Sequence, residues 1–356
     1  MKKIGKYFAF VALLSILLLL ALTGCGGQPA GDKGSTGKEA QTKKAVIRFS
    51  HALPEHHYIS NQFKAWADLV MQKANGTLEV QIYPSAQLYK DPDVYEAIMT
   101  GGIESGHLYN FNHTRYVPEA SAMVAWYLWN TTEEAYQVGI KGPLRAKIDA
   151  EMEKKGIKTL AWLPWHLEDF AFITTKEVKV PADMKGLTIR ANMPEDVAWY
   201  QKWGANPSNI SGSELYMALQ RGVIQGANAT VATSVERKLY EVAPYAVLVP
   251  FWDTMSIIGI NKSFFDKLAP EQQKALVDAG KEVEGKSVAA AMKDYEEIMK
   301  RAQELGIKVY KPTPEEMKLW QAGKDEIRQQ VFKDKPQVLE EIKKLEQQLA
   351  TYRQKK

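Results

Sequence analysis

Cysteine is almost missing from this chain: there is one, Cys25, in 356 residues. The folded body therefore has no disulfide, no thiol nucleophile and no thiolate metal site. An excess of charge is missing too. The formal +4 shrinks once residues 1–24 are set aside, because they hold Lys2, Lys3 and Lys6 and no acid; 43 basic and 42 acidic residues remain. That balance offers no electrostatic footprint for nucleic acid, so no nucleic-acid partner is expected. No long apolar run follows residue 22, which excludes a polytopic membrane protein, and the composition excludes a collagen-like chain or a disulfide scaffold. Catalytic signatures are absent as well: there is no G-x-S-x-G elbow, no phosphate loop and no dinucleotide fingerprint. All six histidines precede residue 167. His51, His56 and His57 fall on the loop after the first strand, where a metal or anion could bind, yet Glu55-His56-His57 lacks the i, i+4 spacing of a zinc protease helix. Solvated or capping roles are the ordinary reading of such loop histidines. With 45% hydrophobic residues the chain folds, and its length calls for two lobes.

What is present begins with an address. Lys2, Lys3 and Lys6 precede an apolar run from Tyr7 to Leu22, broken only by Ser15. Sixteen residues span roughly 24 Å as a helix, short of a ~30 Å hydrocarbon core, which suits a signal segment. Leu22-Thr23-Gly24-Cys25 resembles the bacterial lipoprotein cleavage box, in which the cysteine becomes the lipid-bearing N-terminus. Residues 26–44 carry Gly, Lys and small polar side chains and read as a flexible tether. The expectation is export and lipid anchoring at the outer face of the cytoplasmic membrane.

From residue 45 onward, β-rich runs alternate with helical patterns, the mark of α/β lobes with largely parallel sheets. The runs are 45–50, 78–83, 157–163, 170–174, 187–190, 223–228, 246–251 and 255–260. A weak internal echo lays 94–103 (VYEAIMTGGI) over 215–224 (LYMALQRGVI) at an offset of 121, each a helix ending at glycine and feeding a strand. If the echo marks equivalent lobes, 108–113 and 228–230 both face a cleft at the carboxyl ends of strands. Residues 270–305 form one helical pattern of about 50 Å, long enough to lie across both lobes, with Gly280 and Gly285 as places where it could bend. After Pro336, a last helix has a narrow apolar stripe of Leu339, Ile342, Leu345 and Leu349.

Arg190 closes the run Leu187-Thr188-Ile189-Arg190, at a strand's carboxyl end, where a guanidinium can grip a carboxylate with two parallel bonds. A structural ion pair is the competing role. Trp165, Trp203, Trp252, Tyr109 and Phe170 supply aromatic material for a pocket wall, or for core.

The stretch Val180-Pro181-Ala182-Asp183-Met184-Lys185-Gly186-Leu187-Thr188-Ile189-Arg190 resembles a signature of TRAP (tripartite ATP-independent periplasmic) transporter solute receptors, the DctP-like family. Trp203-Gly204-Ala205-Asn206-Pro207 and the block 214–224 resemble further family motifs, and the likeness covers nearly all of 45–335. The resemblance implies an α/β, two-lobed periplasmic-binding-protein-like fold with a long helix spanning both lobes. It implies a receptor, not an enzyme, that binds an organic-acid anion and passes it to small and large membrane subunits driven by an ion gradient. Arg190 would pair with the ligand carboxylate. Tyr109 and Asn110 from the first lobe, Trp252 from the crossover, and Asn228, His51, Phe170 and Glu168 complete the expected ligand site. The segment 167–173 lacks the second basic residue often found there, which points to a monocarboxylate with an apolar, aromatic or amine-bearing body. The family's D-G-x-E-N stretch is replaced by Gln225-Gly226-Ala227-Asn228-Ala229, so Asn228 rests on strand-end position alone. No cofactor is expected, and a cation held beside the carboxylate by Glu168 or Asp169 stays open. An ABC-type binding lipoprotein and a secreted metal-dependent enzyme are the alternatives. The resulting division is a signal peptide at 1–24, lipidated Cys25 with its tether at 25–44, lobe I at 45–166 with about 253–285, lobe II at 167–252 with about 286–335, and a C-terminal helix at 336–356.

Overall fold

The computed structural model describes residues 43–356; the signal segment, Cys25 and the tether up to residue 42 lie outside the described residues. The strands are β1 (Ala45–Ser50), β2 (Leu78–Tyr83), β3 (Ser105–Tyr109), β4 (Ile157–Pro164), β5 (Phe170–Thr174), β6 (Thr188–Arg190), β7 (Asn206–Ser208), β8 (Gly226–Thr230), β9 (Tyr245–Leu248), β10 (Met255–Asn261) and β11 (Lys308–Tyr310). Seven helices bear on the site: α1 (Tyr58–Lys73), α2 (Asp91–Thr100), α3 (Pro194–Lys202), α4 (Leu215–Gln220), α5 (Val231–Glu236), α6 (Pro270–Glu304) and α7 (Pro336–Gln354).

Two sheets form, in the orders β2-β1-β3-β10-β4 and β7-β6-β8-β5-β9-β11. Position by position the first five strands of each sheet correspond, with β3 and β8 in the same place. The echo between 94–103 and 215–224 is thus a repeat of topology. α2 and α4 each end at a left-handed glycine, Gly101 (φ 77°) and Gly222 (φ 69°), where a Cβ would be strained.

The sheets are mixed, which corrects the expectation of largely parallel ones. β10 runs antiparallel to β3 and β4, and β5 runs antiparallel to β8 and β9. The reason is connectivity. β4 leads into β5 through 165–169, and β9 leads into β10 through 249–254, so both later strands enter their sheet from the interlobe side. The strands beside them end there: Ser256 pairs with Tyr109, and Phe170 pairs with Thr230. The run expected at 223–228 begins instead at Gly226, because Val223 N–H bonds back to Ala218 O and closes the α4 turn first. β7, an Asn-Pro-Ser edge strand, has no apolar alternation to announce it.

α6 is one helix of 35 residues. It packs against α1 and β4 of the first sheet's lobe and against α5 of the other. Leu276 and Val283 belong to one apolar core, and Ala302 to the second. α7 buries Val338, Ile342, Leu345 and Leu349, packing on the segments Pro118–Val124 and Ala135–Ile140. Arg353 fixes its end with a two-bond grip on Glu134, at 2.8 and 2.7 Å.

The interior holds an unusual set of titratable groups. Burial pushes Asp169, Glu195 and Glu236 up to about 8 and Asp196 up to about 6. Burial also drives His51 down to about 4 and His113 to about 3, with His57 and His107 lowered well below their usual 6.5. The acids' stabilising contribution is complete below their unfolded values and is lost as pH rises through the folded ones. The histidines' contribution is complete above 6.5 and is lost as pH falls. Above pH 6.5 only the acids act. We therefore expect the melting temperature to fall by several degrees between pH 6.5 and 8.5; a flat or rising trend in a thermal scan over that range would refute the assignment.

Candidate functional site

Strand ends from both sheets converge on a cavity between the lobes. The cavity volume is about 100 Å³, a space for a compact ligand. Three bonds cross between the lobes nearby: Arg237 Nη2 donates to Ala52 O at 3.1 Å, Tyr58 N–H to Glu236 Oε1 at 3.2 Å, and Lys90 Nζ meets Glu214 Oε1 at 3.1 Å. The lobes are closed on each other.

One wall is aromatic. Tyr109, at the end of β3, stacks on Phe111 with ring centroids 4.8 Å apart. Trp252 meets Phe111 edge-on at 5.4 Å and lies 5.6 Å from Phe170. Trp165 completes the wall, its indole N–H donating to Ser256 Oγ at 2.8 Å. The Trp252 indole N–H is buried and has no acceptor among the described residues. Trp203 lies elsewhere, buried against Trp199 and Trp320.

The opposite wall is polar. Arg190 Nε donates to Ile210 O at 2.8 Å and Nη1 to Asn228 O at 3.4 Å. Those two carbonyls fix the plane of the guanidinium and leave Nη2 without a protein acceptor among the described residues. Asn228 faces the cavity, but its side chain is occupied: Oδ1 accepts from Asn192 Nδ2 at 3.1 Å, and Nδ2 donates to Asp196 Oδ2 at 2.9 Å. Asp196 also accepts the Asn192 and Met193 amides at the start of α3. Asn228 is thus part of the frame that holds Arg190.

Five of the eight expected ligand residues meet here: Arg190, Tyr109, Phe170, Asn228 and Trp252. Three do not. His51 is in the core, its ring 5.3 Å from Phe63, where desolvation keeps it neutral. Asn110 is fully buried and structural; it donates to Asp253 O at 3.1 Å and accepts the amides of Phe111 and Met255 at 2.9 and 3.1 Å. Glu168 lines a different groove, with Pro250 and Tyr295, and accepts from Thr132 Oγ1 at 3.0 Å. Asp169 turns to the Ala232 amide at 3.2 Å. Among the described residues no group of three His, Cys, Asp or Glu is placed to hold a metal ion. His56 is exposed and His57 caps α1, accepting Ile59 N–H.

Sequence reasoning missed three charged residues on the cavity wall: Asp91, Arg115 and Arg237. Segment 167–173 contributes no arginine to the cavity; the basic residues besides Arg190 come instead from the segments that follow β3 and β8. Arg237 follows α5, and Arg115 follows the turn after β3. Burial raises the Asp91 carboxyl, with Arg237 and Arg190 pulling it back. A signal for Asp91 existed. The offset of 121, extended three residues before the echo, pairs Asp91 with Gly212, and these two helix starts meet across the cleft: a Cβ on Gly212 would stand 3.5 Å from Asp91 Oδ2.

A family model described as DctP, bacterial extracellular solute-binding protein family 7, matches residues 49–335. The chain belongs to this family. DctP-family proteins are solute receptors and not enzymes, and this receptor is extracytoplasmic. It is 26% identical over 288 residues to the 2,3-diketo-L-gulonate-binding periplasmic protein YiaO of Escherichia coli, covering 80% of this chain and 86% of that protein. It is 24% identical over 298 residues to the C4-dicarboxylate-binding protein DctB of Bacillus subtilis, covering 82% and 84%. Its fold is that of solved TRAP receptors. The Sulfurospirillum deleyianum protein with bound succinate superposes with a TM-score of 0.79 at 23% identity, over 85% of this chain and 99% of that one. The galactonate-bound sugar acid binding protein of Advenella mimigardefordensis superposes at 0.81 and 19% identity, over 87% and 99%. No helix among the described residues of this DctP-family chain is long and apolar enough to cross a membrane.

Proposed function

We propose that this receptor binds an organic-acid anion, its carboxylate on Arg190, and delivers it by lobe opening to the small and large membrane subunits of an ion-gradient-driven TRAP permease. The observation that carries the reading is Arg190 itself: a guanidinium held in plane by two backbone carbonyls, with its remaining nitrogen unspent, on the wall of a closed aromatic cavity. Burial lowers the Arg190 pKa, so an incoming anion relieves part of a desolvation cost that the folded chain already bears. Relatives and structural neighbours named for diketogulonate, C4-dicarboxylates, succinate and galactonate support an acid ligand. A thermal-shift panel of mono- and dicarboxylates, keto acids, sugar acids and amino acids tests it. Binding at a hundred times Kd raises stability by about 2.7 kcal/mol, readily seen as a higher melting temperature. No shift with any acid would overturn the reading.

The receptor is held at the outer face of the membrane by lipid on Cys25, the reading supported by Leu22-Thr23-Gly24-Cys25. Cys25→Ser should move the protein from the membrane fraction to the soluble exported fraction or leave it uncleaved; unchanged processing and fractionation would defeat it.

A further inference from the structure

Asp91, Arg190 and Arg237 come from two lobes and three elements, yet their heads surround one small space. Measured from the point where a Cβ on Gly212 would stand, Asp91 Oδ2 is 3.5 Å away, Arg190 Nη2 3.8 Å and Arg237 Nη2 3.9 Å. Despite this, neither arginine forms an ion pair with Asp91: among the described residues no cation lies within 4.0 Å of that carboxylate. An anion and two cations that face each other without touching leave a gap for a polar group.

We propose that Asp91 and Arg237, with Arg190, form a subsite that selects a ligand hydroxyl, so that the receptor prefers hydroxylated acids to plain carboxylates, dicarboxylates and amino acids of similar size. The inference rests on Arg190 as the carboxylate anchor. The chemistry of the gap decides the class. A second carboxylate there is drawn by the guanidiniums but brought against the Asp91 carboxylate, so it enters only if one of the two acids carries a proton. An ammonium is repelled by two guanidiniums and has no lone pair to offer them. A methylene offers Asp91 no donor and the guanidiniums no acceptor beyond the backbone carbonyls they already hold, so the carboxylate stays unpaired. A hydroxyl donates its proton to Asp91 and accepts from a guanidinium, satisfying both signs at once. A hydroxyl that reproduces the bonds of an ordered water replaces it without loss.

Calorimetry on the mature receptor with matched pairs tests this: galactonate against hexanoate, and malate against succinate, in wild type, Asp91→Ala and Arg190→Ala. The hydroxylated acid should bind at least 100-fold more tightly in wild type, as sites built for a hydroxyl reject the analogue lacking it by large factors. Asp91→Ala should cut that preference at least tenfold, chiefly by tightening the deoxy acid, because the carboxylate that a methylene leaves unpaired is gone. If both members of each pair bind alike and lose affinity with Arg190→Ala, the hydroxyl subsite is wrong and the receptor reading stands. A preference that survives Asp91→Ala also overturns the subsite. If none of the acids binds, both fall. Gly212→Val, which fills the gap from the backbone side, should abolish the preference without removing any charge.

Discussion

Arg190→Ala is expected to weaken organic-acid binding by about 2–5 kcal/mol, which is roughly 30-fold to several thousand-fold in Kd, almost all of it in the off-rate. The size follows from the frame. Nε and Nη1 are already committed to Ile210 O and Asn228 O, so the guanidinium is in place before the ligand arrives and little ordering entropy is lost on binding. Water is excluded by the aromatic wall, which strengthens the ion pair and makes an unpaired carboxylate expensive. Arg190→Lys should recover only part of the loss. Lysine retains charge but has no second nitrogen to hold to the Ile210 carbonyl and no planar fork for the carboxylate. Titration calorimetry with stopped-flow dissociation measures both variants. Wild-type affinity in the two of them would remove Arg190 from the site.

Gly280→Ala and Gly285→Ala should shift stability in opposite directions, although both lie in the same helix five residues apart. Both glycines read from sequence as places where α6 could bend. The structure gives them different roles. A Cβ on Gly280 would stand 2.2 Å from Leu160 O and 2.9 Å from its carbonyl carbon. These are backbone atoms of β4 and cannot rotate aside, so the helix must lift from the sheet. Overpacking of this kind costs about 1–3 kcal/mol, sometimes more. A Cβ on Gly285 meets nothing within 4 Å, and replacing glycine by alanine in a helix gains about 0.5–1 kcal/mol. In a domain of this size that is a melting temperature lowered by about 2–5 °C in one variant and raised by about 1–2 °C in the other. Urea denaturation of the ligand-free protein measures both, and a Gly280→Ala protein as stable as wild type would show that the helix is not pinned there. The consequence reaches the site, because β4 runs from this contact to Pro164 and then to Trp165 on the cavity wall.

The elements that sequence reading placed well are those with a strong local period. β1, β2 and β5 start and stop where β-branched and aromatic residues meet Gly, Pro or polar breaks, and the 35-residue α6 is an almost uninterrupted run of helix formers. Strand direction was not legible in the same way. β5 and β10 carry the same apolar composition as their neighbours, and only their entry from the other lobe makes them antiparallel. The site divides along the same line. Arg190, Tyr109, Phe170 and Trp252 sit at strand ends or in a crossover, positions that topology alone brings to a cleft. Asn110 and His51 are at comparable positions but turn inward, toward Asp253, Met255 and Phe63, because buried backbone donors and an aromatic core compete for them.

Family membership, the two lobes, the long helix and an arginine at a strand's carboxyl end all follow from patterns within a few tens of residues, since strand, helix and motif are local properties of the chain. The scarcity of cysteine and the balance of charge likewise excluded whole classes of chemistry before any fold was known. Which side chains share the cavity is a different kind of fact. Asp91, Arg190 and Arg237 are separated by 99 and 47 positions, and no local propensity relates them; their meeting depends on two lobes closing until the starts of α2 and of the segment before α4 face each other. One arginine at a strand end is legible in the sequence, but the distances between charged groups across the cleft exist only in the closed fold.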